Sequence, residues 1–144
     1  MNEGSPLTAS LRRWCSLYSF GSRPFTFSGY EDLYADDSLT AFDNFAPKDT
    51  FLAGKDAYEA LWEPLINERF SDQVIVRFDV VRTGHAGDLA WSAVSFWFDA
   101  KENGEPFSSS QHATHVWRLI DGKWRIVHEH IMGPILVDGS QIKP

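Results

Sequence analysis

The residues of this chain best suited to moving a proton crowd into one stretch near its end, His112 to Pro134, HATHVWRLIDGKWRIVHEHIMGP. It holds four of the five histidines, with Glu129 between His128 and His130. Upstream, Asp43 lies between Phe42 and Phe45, an acid in an apolar setting. Imidazoles and carboxylates are the groups that burial and neighbouring charge tune most readily for acid–base work. Removing a proton next to a carbonyl needs a base in a dry site, plus a donor where enolate charge grows. Asp43 or Glu129 suits the base, and His115 suits the donor or the group that orients the acid. Trp91, Trp97, Trp117 and Ile131 would supply apolar walls for a flat or polycyclic ligand.

These groups depend on a hairpin for their positions. Runs rich in Val, Ile and Trp flank Asp121-Gly122, a dipeptide that tolerates positive φ, so two strands joined there are expected. A two-residue Asp121-Gly122 turn sets Leu119 opposite Trp124 and places His115 and His128 on one face. A three-residue loop with Gly122 in a left-handed bulge instead gathers His115, Trp117, Arg125, Val127, Glu129 and Ile131. One residue of slip flips every side chain, and Asp-Gly serves both turns.

The rest of the chain reads as helices first and strands later. Leu7, Leu11, Trp14, Cys15 and Tyr18 recur at helical spacing, which predicts a helix from about Pro6 to Phe20. Ser28 followed by Glu31 is a capping-box pattern, predicting a short helix through Tyr30, Leu33 and Tyr34 that ends at Asp36-Asp37. Ser38 to Phe45 reads as extended, and Lys55 to Phe70 as a third helix with a kink at Pro64. Val74 to Arg82, Leu89 to Asp99 and the hairpin read as strands, with Asn103-Gly104 marking a turn. This order argues for a single α+β domain over residues 1–144, helices on one face of a curved antiparallel sheet, with a loose tail from Val137.

Composition limits the partners. The formal net charge is −7, and residues 31–72 carry eleven acids against Lys48, Lys55 and Arg69. No basic stripe exists to neutralise phosphates, so nucleic acid is excluded as a partner. The single Cys15 cannot form an intramolecular disulfide, and no apolar run has the length of a signal peptide or a membrane span. A cytoplasmic protein without membrane contact is the expectation.

LYADD, a following FD before a Pro, the GKDAYEALWEP helix and THVWRLIDGKWRIVHEH together resemble the nuclear transport factor 2-like superfamily. Within it the chain is most similar to SnoaL-like polyketide cyclases and to the association domain of calcium/calmodulin-dependent kinase, which also has a Trp-Asp-Gly-Lys-Trp hairpin and a His-x-His. The resemblance implies a cone-shaped sheet wrapped around the long helix, a cystatin-like α+β roll with an apolar pocket at its wide end. It also favours the Gly122 bulge. On similarity to the steroid isomerase branch, His115 falls where that branch places an acidic donor to an oxyanion. Asp43 falls near the general base, with a one-residue shift after Asp37. The oxyanion tyrosine of that branch corresponds to Trp14, and Tyr18 lies one turn on. In polyketide cyclases a histidine and an acid on the last two strands move the proton, and His115 with Glu129 resembles that pair. The pocket arginines of the kinase domain correspond to Ala93, His115 and Ile131, so an anionic ligand of that kind is disfavoured.

Each candidate also has a plainer role. Asp43 can bind backbone amides at a strand end. His115 beside Glu129 can be a satisfied buried pair that fixes the register. His128-x-His130 with His112 could bind zinc, but strand histidines on an outer face more commonly meet a second subunit, so no metal is expected. Cys15 reads as core. Two functions follow: a cofactor-free isomerase, cyclase or dehydratase acting on a small hydrophobic carbonyl compound, or a non-catalytic ligand-binding or dimerisation module. Either is expected as a homodimer.

Overall fold

The computed structural model describes residues 5–21, 24–43, 51–70, 73–102 and 104–133. Helix α1 spans Thr8–Tyr18 and buries Leu11, Trp14, Leu17 and Tyr18, with Leu7 just ahead of it. Helix α2 spans Lys55–Arg69 and runs through Pro64; Tyr58, Trp62 and Ile66, four residues apart, form its buried stripe. Asp56 in its first turn and Arg69 in its last suit the helix dipole.

Six strands form one sheet: β1 (Thr40–Asp43), β2 (Leu52–Ala53), β3 (Val74–Ala86), β4 (Leu89–Glu102), β5 (Glu105–Ile120) and β6 (Lys123–Met132). Their order is β2-β1-β6-β5-β4-β3, and β1 runs parallel to β6 while the other neighbours are antiparallel. The expected all-antiparallel sheet is therefore mixed, in an α+β cone. Val74, Val76, Ala90, Val94, Phe96, Ala113, Trp117, Ile126 and Ile131 make its inner face and pack on the helices. The loose tail expected from Val137 lies outside the described residues.

Two predictions are corrected. The segment from Ser28 to Tyr34 forms turns and not a helix. Glu31 does reach back, but to the Gly29 N–H at 3.0 Å, while the Ser28 N–H donates to Thr26 Oγ1 at 3.1 Å, so the capping box does not form. The segment is drawn instead into pairing with the sheet: Ala35 N–H donates to Ile126 O, and Ile126 N–H to Leu33 O, each at 2.8 Å. Asp32 pins it further, accepting from Arg13 at 2.8 Å and Lys123 at 2.9 Å.

The second correction concerns the hairpin. Asp121 (φ 51°) and Gly122 (φ 77°) form a two-residue turn, and Leu119 pairs with Trp124. Gly122 is not a bulge. The register shifts further along, where Val116 pairs with His128 and Trp117 with Ile126, leaving Val127 as the extra residue. That bulge turns Glu129 back opposite His115. It falls between Ile126, which pairs with the Leu33–Ala35 segment, and His128, which pairs with β1.

Candidate functional site

Glu129 is 1% exposed and His115 0%, each pointing into the core from adjacent strands. A buried carboxylate must be paired or neutralised. Here four donors surround it. Oε2 accepts from His115 Nε2 at 2.8 Å, from the Tyr34 hydroxyl at 2.9 Å and from Trp14 Nε1 at 3.2 Å, while Oε1 accepts from the Tyr58 hydroxyl. The Tyr18 hydroxyl stands one step out, 2.8 Å from that of Tyr34 and 2.7 Å from that of Tyr58. α1, the turn segment, α2, β5 and β6 thus converge on one carboxyl group.

The protonation state follows from the partners. His115 Nδ1 is buried without a hydrogen-bond partner. The Glu129 carboxylate can only accept, so Nε2 carries the hydrogen of the 2.8 Å contact. Burial pulls the Glu129 carboxyl upward, but the hydrogen bond and charge of His115, with the hydrogen bonds from Tyr58 and Tyr34, outweigh it and hold the group below its ordinary value. Burial, and then the Glu129 charge, push the Tyr34 and Tyr58 hydroxyls well above theirs. The cluster is one carboxylate surrounded by four buried donors.

Beside it lies a cavity of about 60 Å³. Trp14, Tyr18, Tyr58 and Ile131 border it toward the cluster, and Trp62, Leu65, Ile66, Phe70, Val76 and Phe96 close it with apolar surface. Gln111 and Arg69 are its other polar neighbours. Neither His115 nor Glu129 borders it; the tyrosines stand between.

The expected site residues divide accordingly. Trp14, Tyr18 and Ile131 line the cavity. Trp117 is buried away from it, donating to Ser92 Oγ at 2.9 Å and packing on His115. Trp91 and Trp97 do not reach it, because Ala90, Ser92, Val94 and Phe96 take the inward positions of β4. Trp91 is 46% exposed and lies across Gly84, where an added Cβ would sit 2.4 Å from its ring. Trp97 lies under the Arg77 guanidinium at 5.5 Å. Asp43 is the last residue of β1, paired with Ile131, and its side chain lies outside the described residues. His128 and His130 face outward against Phe42, and Thr40 Oγ1 lies 2.8 Å from His128 Nδ1. Among the described residues no group of three or more His, Cys, Asp or Glu side chains could hold a metal, and no helix is long and apolar enough to cross a membrane.

Sequence reasoning missed Tyr34, Tyr58, Trp62 and Gln111. Tyr58 was readable only as one of several apolar positions on a helix face. The available signal was that a buried acid requires donors, and that three of the four tyrosines lie on or beside elements packed against β6.

Two helices against a bent sheet is the fold shared with solved nuclear transport factor 2-like proteins. The chain belongs to the SnoaL-like domain family, which it matches over residues 11–135. A nuclear transport factor 2-like protein of unknown function from Pseudomonas putida superposes with a TM-score of 0.72 at 24% identity, covering 94% of this chain and 89% of that one. A superfamily protein from Salmonella enterica gives 0.74 at 20% identity, over 90% and 89%. The association domain of calcium/calmodulin-dependent kinase II from C. elegans gives 0.58 at 21%, over 74% and 80%. No curated protein matches the chain in sequence.

Proposed function

We propose that this chain binds a small, mostly apolar molecule in the cavity between α1, α2 and the inner face of the sheet, with the Tyr18 and Tyr58 hydroxyls as its polar contact. The observation that carries this reading is the cavity itself: an apolar hollow of about 60 Å³ whose tyrosine wall is tied to a buried anion. That volume is about two waters' worth, so a ligand of a few heavy atoms fits and a polycyclic one would have to displace side chains at the mouth.

Binding is favoured over proton abstraction by His115 and Glu129. A general base works best with a pKa near the operating pH, and a carboxylate with four donors is held below its ordinary value. Both groups also stand behind the tyrosines rather than at the cavity surface. The carbonyl chemistry expected for this family branch would have to draw its base from elsewhere, Asp43 being the remaining acid of the expected trio.

Native mass spectrometry of purified protein tests the reading. A small molecule released on activation from wild type, and missing from a Leu65→Trp variant that fills the cavity, is the expected result. Identical bare masses for both, with no small ligand taken up on addition, would refute it.

The outer sheet face supports a homodimer. Phe42, Phe51 and Met132 are exposed there beside the His128 and His130 rings. Light scattering at micromolar concentration should give twice the 16.4 kDa chain mass. A monomer mass would count against it.

A further inference from the structure

Two polar side chains on the cavity wall lack partners. Trp62 is 8% exposed and Gln111 3%, and both border the hollow. The Trp62 indole N–H is buried with nothing to donate to. Among the described residues, none bonds the Gln111 carboxamide. Gln111 stands between Ser109 and Ala113 on the inward face of β5, opposite Phe96. Its stem is braced by Gly133, where an added Cβ would lie 2.6 Å from Gln111 Cγ.

Nearly all buried polar groups are paired, because an unpaired one forfeits its hydrogen bonds to water. Two left over on the wall of one hollow of about 60 Å³ describe the ligand that would pair them. The indole N–H needs an acceptor. The Gln111 carboxamide needs an acceptor at its nitrogen and a donor at its oxygen. Arg69 also borders the hollow, its guanidinium 5.3 Å over the Phe70 ring, and its positive charge would suit an anion. A carboxylate only accepts, however, so it leaves the Gln111 oxygen unpaired, and the Glu129 charge stands just behind Tyr58. A ketone fails at the same oxygen. An amide carries donor and acceptor side by side and matches another amide at both.

We propose that the ligand of this cavity is a neutral carboxamide on an apolar body, paired with Gln111 and accepting from the Trp62 indole. The inference rests on the reading that the cavity binds a small molecule. The apolar body meets Leu65, Ile66, Phe96 and Ile131.

Butanamide, 2-pentanone and butanoate have the same size and differ in the polar end. NMR titration of wild type and Gln111→Leu gives their affinities. The ratio of butanamide to 2-pentanone affinity should fall roughly 3- to 10-fold in the variant, the equivalent of one net hydrogen bond, and the probes' own hydration cancels in that comparison. In wild type the Trp62 indole N–H resonance, assigned with Trp62→Phe, should move downfield as butanamide binds. An unchanged ratio, an indole resonance that stays in place, or tighter binding of butanoate than butanamide by wild type overturns this inference and leaves the cavity reading standing. Binding of none of the three overturns both. Should Gln111→Leu fail to fold, the wild-type indole shift and the butanoate comparison still decide.

Discussion

Replacing Glu129 by Ala should be among the most damaging single changes this chain can suffer, although the residue is polar and sits in an aromatic core. The substitution strands the hydrogens of His115, Trp14, Tyr34 and Tyr58, all of them buried. A hydrogen bond to a charged group contributes about 1.5–3 kcal/mol, but four around one carboxylate are not additive, because the tyrosines can partly re-pair among themselves. Stranded buried donors cost about 1–3 kcal/mol each, and with partial re-pairing the loss comes to roughly 3–5 kcal/mol. Urea unfolding followed by far-ultraviolet circular dichroism measures it. With a slope of about 2 kcal/mol per M, the midpoint should fall by roughly 1.5–2.5 M. Glu129→Gln keeps the shape and one acceptor oxygen, and should lose about 1.5–3 kcal/mol. The pH dependence has a definite sign. The folded carboxyl titrates below its unfolded value, so its contribution is complete above that value, roughly 4.3, and is lost as pH falls through the folded one. Wild type should therefore converge on Glu129→Gln in acid. A Glu129→Ala midpoint corresponding to under about 1 kcal/mol of loss would refute the idea that the carboxylate organises the core.

Three other outcomes follow from the same geometry. Deleting Val127 joins Ile126 to His128 in a regular ladder that leaves Glu129 inward and opposite His115, so near-ultraviolet circular dichroism should keep its fixed aromatic signal; loss of that signal would refute Val127 as the extra residue. Long-range nitrogen NMR should find a hydrogen on His115 Nε2, and a bare Nε2 would overturn the hydrogen assignment around Glu129. Burial pushes the Cys15 thiol up to about 12. Its alkylation by iodoacetamide at pH 8 should be roughly a thousandfold slower in native than in urea-unfolded protein, and comparable rates would contradict its packing.

Much of this architecture is legible in the residues. The stripe Tyr58, Trp62, Ile66 and the run Leu7, Leu11, Trp14, Tyr18 announce both long helices through their spacing. Asp121-Gly122 announces the hairpin because both residues must adopt positive φ. The face that Glu129 occupies is harder to read. Expecting a Gly122 bulge paired it with His115 for a reason the structure replaces, since a bulge at Val127 needs no special residue type and leaves no signature. The Ser28–Glu31 pattern misled for a different reason. Glu31 bonds the Gly29 N–H in place of the Ser28 one, and pairing of the following residues with Ile126 outweighs helix formation. Trp91 and Trp97 show that aromatic content does not reveal which side of a strand is wet. Tyr34 and Tyr58 went unrecognised because a tyrosine on an apolar stripe looks like core until the acid it serves is located.

The most direct test of the cavity as the ligand site is methyl NMR with protein labelled at Ile, Leu and Val. Leu65, Ile66, Val76 and Ile131 border the cavity, whereas Ile75, Leu89 and Leu119 are exposed elsewhere and serve as internal controls. On titration with butanamide, saturable shifts confined to the first four residues are predicted. Shifts spread over the exposed methyls, or none at the cavity, would contradict it.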